Sequence, residues 1–413
     1  MERRGWLIVA VFVCLFAFSS CRELKVTVKH KHNQHHHLAT YNHTLARILV
    51  QYASAVYLSD LTELFTWTCS RCDGLTKDFE MVELIVDVKR CLQGFVGVAT
   101  DLNATVIAFR GTQERSIQNW VEDLYWKQLD IDYPGVDGAM VHHGFYTAYH
   151  NTSVRPGVLG AVQKVKELYG DIKIMVTGHS MGGAMAALCG LDLRLSLGEQ
   201  NVQVMTFGQP RIGNSIFASY FNQLVPDTIR VTNGHDIVPH LPPYYYHFPQ
   251  KTYHHFPREV WLHNIGLGSL IYTVEKVCDG SGEDPTCSRQ VFAITGTFSY
   301  SPLFLVSHWR IPVFFHYFYD SFDQNKLDVF LTTDANLLKT FCRSVRGNSI
   351  SDHLKYYGVE MGCDTPSGCR IVMDPRVVAY ARKDLDGNLI LSRDLSNSVL
   401  KLNTDRGDQG SST

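Results

Sequence analysis

A short apolar run, Ile172 to Thr177, passes through Gly178-His179-Ser180-Met181-Gly182 into a stretch rich in small and apolar residues that ends near Leu197. The first reads as a buried strand and the second, Met181 to Leu197, as a helix, so a serine stands at a strand-to-helix junction between glycines. A residue there occupies a strained turn, and a bulkier neighbour would run into the facing strand and helix, so glycine flanks it. The turn also aims the N–H of Met181, at the positive end of the helix, toward whatever the serine attacks. A small-residue turn that only lets a helix pack closely is the plainer reading. Strand before and helix after argue against it.

The surroundings repeat this alternation. Gly94 to Thr100, Ala104 to Phe109, Val202 to Phe207 and Thr228 to Thr232 read as strands. Tyr146 to Tyr169 and Ser215 to Leu224 read as helices, as does Thr44 to Leu58 from its apolar spacing. Strands alternating with helices specify an α/β domain with a central, mostly parallel sheet flanked by helices. Chemistry in such a sheet belongs at the carboxyl ends of its strands, here just after Thr177, Phe207 and Thr232.

A serine hydroxyl needs a base, and the base an orienting carboxylate; with a strand-to-helix nucleophile the chain order is Ser, acid, His. Asp236 follows the strand ending at Thr232 and suits the acid, although an Asp after a strand is more often a cap. For the base, His235, His240, His247, His254, His255, His263, His308, His316 and His353 all follow the serine, and spacing does not choose among them.

The amino terminus reads as a secretory signal over residues 1–20: Arg3 and Arg4 precede an apolar run from Trp6 to Phe18, which is short for a membrane span of about 20 residues. Residues 21–41 form a polar, histidine-rich arm, read as solvated rather than metal-binding. Ten of the 11 cysteines follow the leader, which suits an oxidising, extracellular address. Cys69-Ser70-Arg71-Cys72 has no second pair at metal spacing, so a short disulfide is expected there, and Cys189 is expected to be a buried thiol. The sequons at Asn42, Asn103 and Asn151 are glycan acceptors on that route. A net charge of −2 gives no field for nucleic acid, so that partner is excluded, and a monomer is expected.

Five stretches in this order, Ala108-Phe-Arg-Gly-Thr112, His142-His-Gly-Phe145, Thr177-Gly-His-Ser-Met-Gly-Gly-Ala184, Phe207-Gly-Gln-Pro-Arg-Ile-Gly-Asn214 and Asn233-Gly-His-Asp-Ile-Val-Pro239, resemble the class 3, fungal-type triacylglycerol lipases, and their plant members in particular. The resemblance runs from Thr44 to Cys363, the segment 290–341 excluded, and implies an α/β-hydrolase fold with no metal or organic cofactor. It implies Ser180 as nucleophile, Asp236 as acid and His353 as base, with Thr112 and Met181 as oxyanion donors. A lid should begin after Thr112, where Ile117, Trp120, Val121 and Leu124 form one helical stripe; such a stripe is otherwise core packing. The resemblance also implies the bridges Cys69–Cys72 and Cys278–Cys287, and leaves the partners of Cys91, Cys342, Cys363 and Cys369 open. The implied substrate is an acyl ester at a lipid–water interface, triacylglycerol first. Alternatives are a phospholipid, a galactolipid or a feruloyl ester, or a catalytically silent lipid-binding protein.

The pattern is interrupted once. Within the lipase domain, set at residues 42–370, the segment 290–341 is aromatic-rich, lacks helical period and is bracketed by the similar Cys287-Ser-Arg289 and Cys342-Arg-Ser344. It reads as a retained non-coding or splice-derived segment, and its place ahead of His353 threatens the base. Residues 371–413 read as a partly disordered extension, polar from Asp405.

Overall fold

The computed structural model describes residues 41–126, 129, 131–244, 252–267, 270–290, 349–363 and 371–393. The leader, nearly all of the arm, the segment 291–341 and the final tail lie outside the described residues.

One ten-stranded sheet organises the domain. Its strands in chain order are β1 (Phe79–Asp87), β2 (Leu92–Ala99), β3 (Ala104–Phe109), β4 (Lys173–His179), β5 (Val202–Phe207), β6 (Thr228–Asn233), β7 (Glu259–Leu267), β8 (Leu270–Val277), β9 (Ala381–Lys383) and β10 (Leu389–Ser392). They lie side by side as β8-β7-β6-β5-β4-β3-β2-β1-β10-β9. From β3 to β7 every pairing is parallel, and antiparallel strands close both edges. The expected parallel sheet is thus the centre of the molecule, where β4, β5 and β6 end together.

Alternation along the strands divides the core in two. Ile107, Ile174, Val176, Val202 and Val204 join the cluster on one face of the sheet, and Val106, Ala108, Met175, Met205 and Phe207 the cluster on the other. Both faces are apolar, so the central strands read as near-continuous apolar runs. The first face is covered by α5 and α6 and the second by α1, once the helices are numbered: α1 (His43–Ala55), α2 (Leu61–Thr66), α3 (Glu114–Trp126), α4 (His143–His150), α5 (Val154–Tyr169), α6 (Met181–Ser196) and α7 (Ser215–Leu224). Asn42 caps α1, its side-chain oxygen accepting the Leu45 N–H at 3.0 Å.

The stretch expected as one helix from Tyr146 to Tyr169 is two. Thr152 separates them: its hydroxyl donates to the Ala148 carbonyl at 2.8 Å and accepts the Val154 N–H at 3.2 Å, ending α4 and starting α5. Pro156 then falls in the first turn of α5, where no intrahelical N–H bond is lost.

The boundary at 370 also needs correction. Residues 381–392 belong to the main sheet, with Ile85 opposite Ile390 and Leu84 opposite Leu391. The Leu389-Ile390-Leu391 run is too short to announce a strand by itself; it is one because β1 offers an open edge. Among the described residues no helix is long and apolar enough to cross a membrane.

Candidate active site

The strand-to-helix turn forms as its glycines require. Ser180 precedes α6 with φ 58° and ψ −128°, backbone that a non-glycine residue adopts only under strain. A Cβ on Gly178 would come 2.3 Å from the Gly182 carbonyl oxygen, and one on Gly182 would come 2.1 Å from that of Phe109. Ser180 N–H donates to the Phe207 carbonyl at 2.9 Å, tying the turn to the end of β5.

Asp236 lies in the loop after β6, and His353 ends a helical segment at 349–353. His353 Nδ1 donates to Asp236 Oδ2 at 2.8 Å. The same oxygen accepts the Tyr356 hydroxyl at 2.5 Å, and Asp236 Oδ1 accepts the Val238 N–H at 2.8 Å. One carboxylate therefore both caps its own loop and holds the His353 ring. Tyr356 is held well above its ordinary value by burial and by Asp236, so it stays a donor. It was not singled out from the sequence; its only signal was a place in the aromatic pair after His353.

Residues 291–341 lie outside the described residues, and the stretch carrying His353 is described from Ser349 onward. The loop carrying Asp236 holds the stretch carrying His353 by bonds of its own: Asp352 Oδ2 accepts the His235 N–H at 2.7 Å, Asn233 Nδ2 donates to the Asp352 and Lys355 carbonyls at 3.1 and 2.7 Å, and Ile237 N–H donates to Ser349 Oγ at 3.1 Å. The remaining described histidines are engaged elsewhere. His240, half-buried, and His255, buried, lie near Arg211 and Arg230, His235 pairs with Asp352, His254 bonds a carbonyl, and His263 stacks on Trp261. His247, His308 and His316 lie outside the described residues.

Ser180 and His353 are 0% exposed and Asp236 2%. Ser180 Oγ and His353 Nε2 have no hydrogen-bond partner among the described residues. A hydroxyl and an imidazole nitrogen, the latter with its opposite nitrogen fixed by a carboxylate, are thus buried and unengaged: the parts of a nucleophile and base. Thr112 and Met181 stand next to each other, the Thr112 hydroxyl 3.8 Å from the Met181 sulfur. Met181 opens α6, so its N–H has no carbonyl one turn earlier to meet.

The stripe after Thr112 forms α3. Ile117 and Leu124 are buried, and Trp120 and Val121 are half-buried against the core, Trp120 facing Phe145 with ring centres 6.2 Å apart. The opposite face, with Gln118, Asn119, Glu122 and Asp123, is polar or exposed. Packed this way, α3 is an amphipathic helix laid apolar side down.

Cys69–Cys72 and Cys278–Cys287 are disulfides. Cys278, Cys287 and Asp284 converge at metal-ligand spacing, but both sulfurs are committed to the bridge. Cys189 is a buried thiol beside Tyr149, pushed up by burial. Asn42, Asn103 and Asn151 are exposed.

The Cys278–Cys287 loop is pinned by a buried ion pair: Arg211 Nε and Nη2 donate to Glu283 Oε1 and Oε2 at 2.7 and 2.8 Å. Arg211 also donates through Nη1 to the Pro242 carbonyl at 3.0 Å, so the same cation steadies the chain that follows Asp236. Burial alone would raise the Glu283 carboxyl, but Arg211 holds it below its ordinary value. Glu283→Gln should cost about 3 kcal/mol at pH 7, because it leaves a buried cation uncompensated. The depressed folded value makes this contribution complete above the unfolded carboxylate range and lost as pH falls through the folded value. In urea titrations the gap between wild type and Glu283→Gln should therefore close at acid pH; a gap that is small at pH 7 or widens with acid would refute it.

The family model for Lipase (class 3) matches residues 106–246. A lipase of Rhizomucor miehei is 32% identical over 242 residues, 58% of this chain and 62% of that protein. The secreted mono- and diacylglycerol lipase 1 of Fusarium solani is 32% identical over 240 residues, 57% of this chain and 68% of that protein. The first curated relatives are matched over less than two thirds of their length, 62% and 58%. Among solved structures, the Rhizomucor miehei lipase propeptide complex covers 78% of this chain and 82% of its own, with a TM-score of 0.55 at 26% identity. A triacylglycerol lipase whose catalytic centre is described as a serine protease triad covers 61% and 91%, with a TM-score of 0.51 at 31% identity. Sequence order, strand order and these likenesses agree, and the chain belongs to the class 3 lipase family.

Proposed function

We propose that this protein is a secreted serine esterase that hydrolyses acyl esters at a lipid–water interface, with triacylglycerol as its first substrate. The observation that carries the reading is the 2.8 Å bond from His353 Nδ1 to Asp236, opposite a buried Nε2 that, like the buried Ser180 hydroxyl, has no hydrogen-bond partner among the described residues. Ser180 Oγ attacks the ester carbonyl while His353 Nε2 takes its proton, and Asp236 steadies the imidazolium. The N–H groups of Met181 and Thr112 receive the oxyanion. His353 then returns the proton to the leaving alcohol and next activates the water that frees the acyl chain.

A buried nucleophile cannot meet lipid, so something must move. Helix α3 suits that role: it follows the oxyanion residue Thr112 directly, and its apolar stripe of Ile117, Trp120 and Val121 can exchange protein for lipid when it lifts. The three exposed sequons and two disulfides support passage through the secretory route.

The purified mature chain should turn over a short-chain triacylglycerol faster than phospholipid, galactolipid or feruloyl esters, and its rate should climb as that substrate passes its solubility limit. Preference for another ester would move the substrate class and keep the chemistry. Binding to emulsions without turnover of any ester would favour the silent lipid-binding alternative.

A further inference from the structure

Two buried side chains outside the triad join its separate parts. Tyr57, in the turn after α1, has its hydroxyl 2.8 Å from Nδ1 of His179 and accepts the Gly111 N–H at 3.1 Å. His179, the residue before the nucleophile, has Nε2 2.8 Å from the main-chain carbonyl of His353. The direction of every bond is forced. A carbonyl only accepts, so His179 Nε2 carries the hydrogen. Burial holds His179 neutral, well below its ordinary value, so Nδ1 is a lone pair that accepts from the Tyr57 hydroxyl. The tyrosine oxygen is then left to accept from Gly111.

We propose that Tyr57 and His179 are positioning residues, a relay that holds the oxyanion loop, the nucleophile turn and the base in one register. The proposal rests on the hydrolase reading above. Each end of the relay lands on main chain next to the chemistry: Gly111 precedes Thr112, and the carbonyl belongs to His353 itself. Asp236 holds the His353 ring only at Nδ1, about which it can pivot; a second anchor on its backbone fixes where the ring starts from. The contact between the three pieces is close. A Cβ on Gly111 would lie 2.4 Å from the Tyr57 hydroxyl, 2.5 Å from the His179 carbonyl oxygen and 3.0 Å from Ser180 Cβ.

The relay residues are buried and take no part in substrate binding in this mechanism, so their loss should lower kcat and leave KM nearly unchanged, since small misplacements of reacting groups are costly. Tyr57→Phe should reduce kcat roughly tenfold and His179→Phe on the order of a hundredfold. His179→Gln keeps an amide that can donate to the His353 carbonyl and accept from Tyr57, and it should recover most of the loss. Rates of fluorophosphonate labelling at Ser180, measured on the full chain with circular dichroism to check folding, should fall and recover in the same order. Wild-type labelling rates and kcat in Tyr57→Phe and His179→Phe overturn the relay and leave the hydrolase reading intact, as does a Gln variant no faster than Phe. A folded wild type that does not label at all overturns the hydrolase reading, and the relay's role with it.

Discussion

Ser180→Ala is expected to lower kcat by at least roughly 10⁴-fold on a soluble short-chain ester while leaving the protein folded, since removing the nucleophile leaves only binding and the oxyanion donors. The packing explains why the fold survives: Ser180 Oγ has no hydrogen-bond partner among the described residues, so deleting it orphans nothing. What the serine costs the fold is its backbone, held at φ 58°. Alanine keeps that strain. Ser180→Gly removes it and should raise stability by about 1 kcal/mol while being equally inactive. Activity and stability thus move apart at one position. Single-turnover assays and urea titrations on the three proteins measure both. Ester turnover in purified Ser180→Ala within tenfold of wild type would put the chemistry on another residue.

What could be read from the sequence divides along contact range. The serine turn was legible because its contacts are local: Gly178 and Gly182 meet each other and the strand beside them, so the five-residue spacing encodes the geometry. The central strands were legible for a related reason, since their apolar runs follow from burial on both faces. Which histidine meets Asp236 was not, and only the family resemblance pointed to His353. His353 and Asp236 are 117 positions apart, and nothing in the spacing of nine histidines records which of them the fold brings to Asp236. Tyr356 and Tyr57 were missed for the same reason. His179 stood in plain view inside the motif, yet its partners lie 122 positions before it and 174 after it. The edges of the sheet were the weakest reading. Strands β1, β7 and β8 were not read out of the sequence. Residues 381–392 were assigned to a partly disordered extension, because a short edge strand is defined by its neighbour and not by its own pattern.

Asp236→Asn should be nearly as damaging as loss of the serine, through geometry rather than loss of a reacting atom. Three donors converge on this carboxylate: the His353 ring and the Tyr356 hydroxyl on Oδ2, and the Val238 N–H on Oδ1. Both oxygens are in use as acceptors, and an amide offers only one. If the amide oxygen faces His353, its NH₂ meets the Val238 N–H, donor against donor, and a buried group goes unpaired. If it turns over, the NH₂ faces the imidazole, which then keeps its hydrogen on Nε2 and cannot take a proton from Ser180. The second arrangement satisfies the backbone, so it should dominate. The expected loss in kcat is roughly 10⁴-fold with KM little changed, which is what the wrong tautomer brings in a serine triad. Imidazole ¹⁵N shifts read the tautomer directly: wild-type His353 should carry its hydrogen on Nδ1 and the variant on Nε2. Asp236→Asn protein with the wild-type tautomer, or within tenfold of wild-type turnover, would mean that this carboxylate is only the cap of its loop and that the imidazole is oriented by something else.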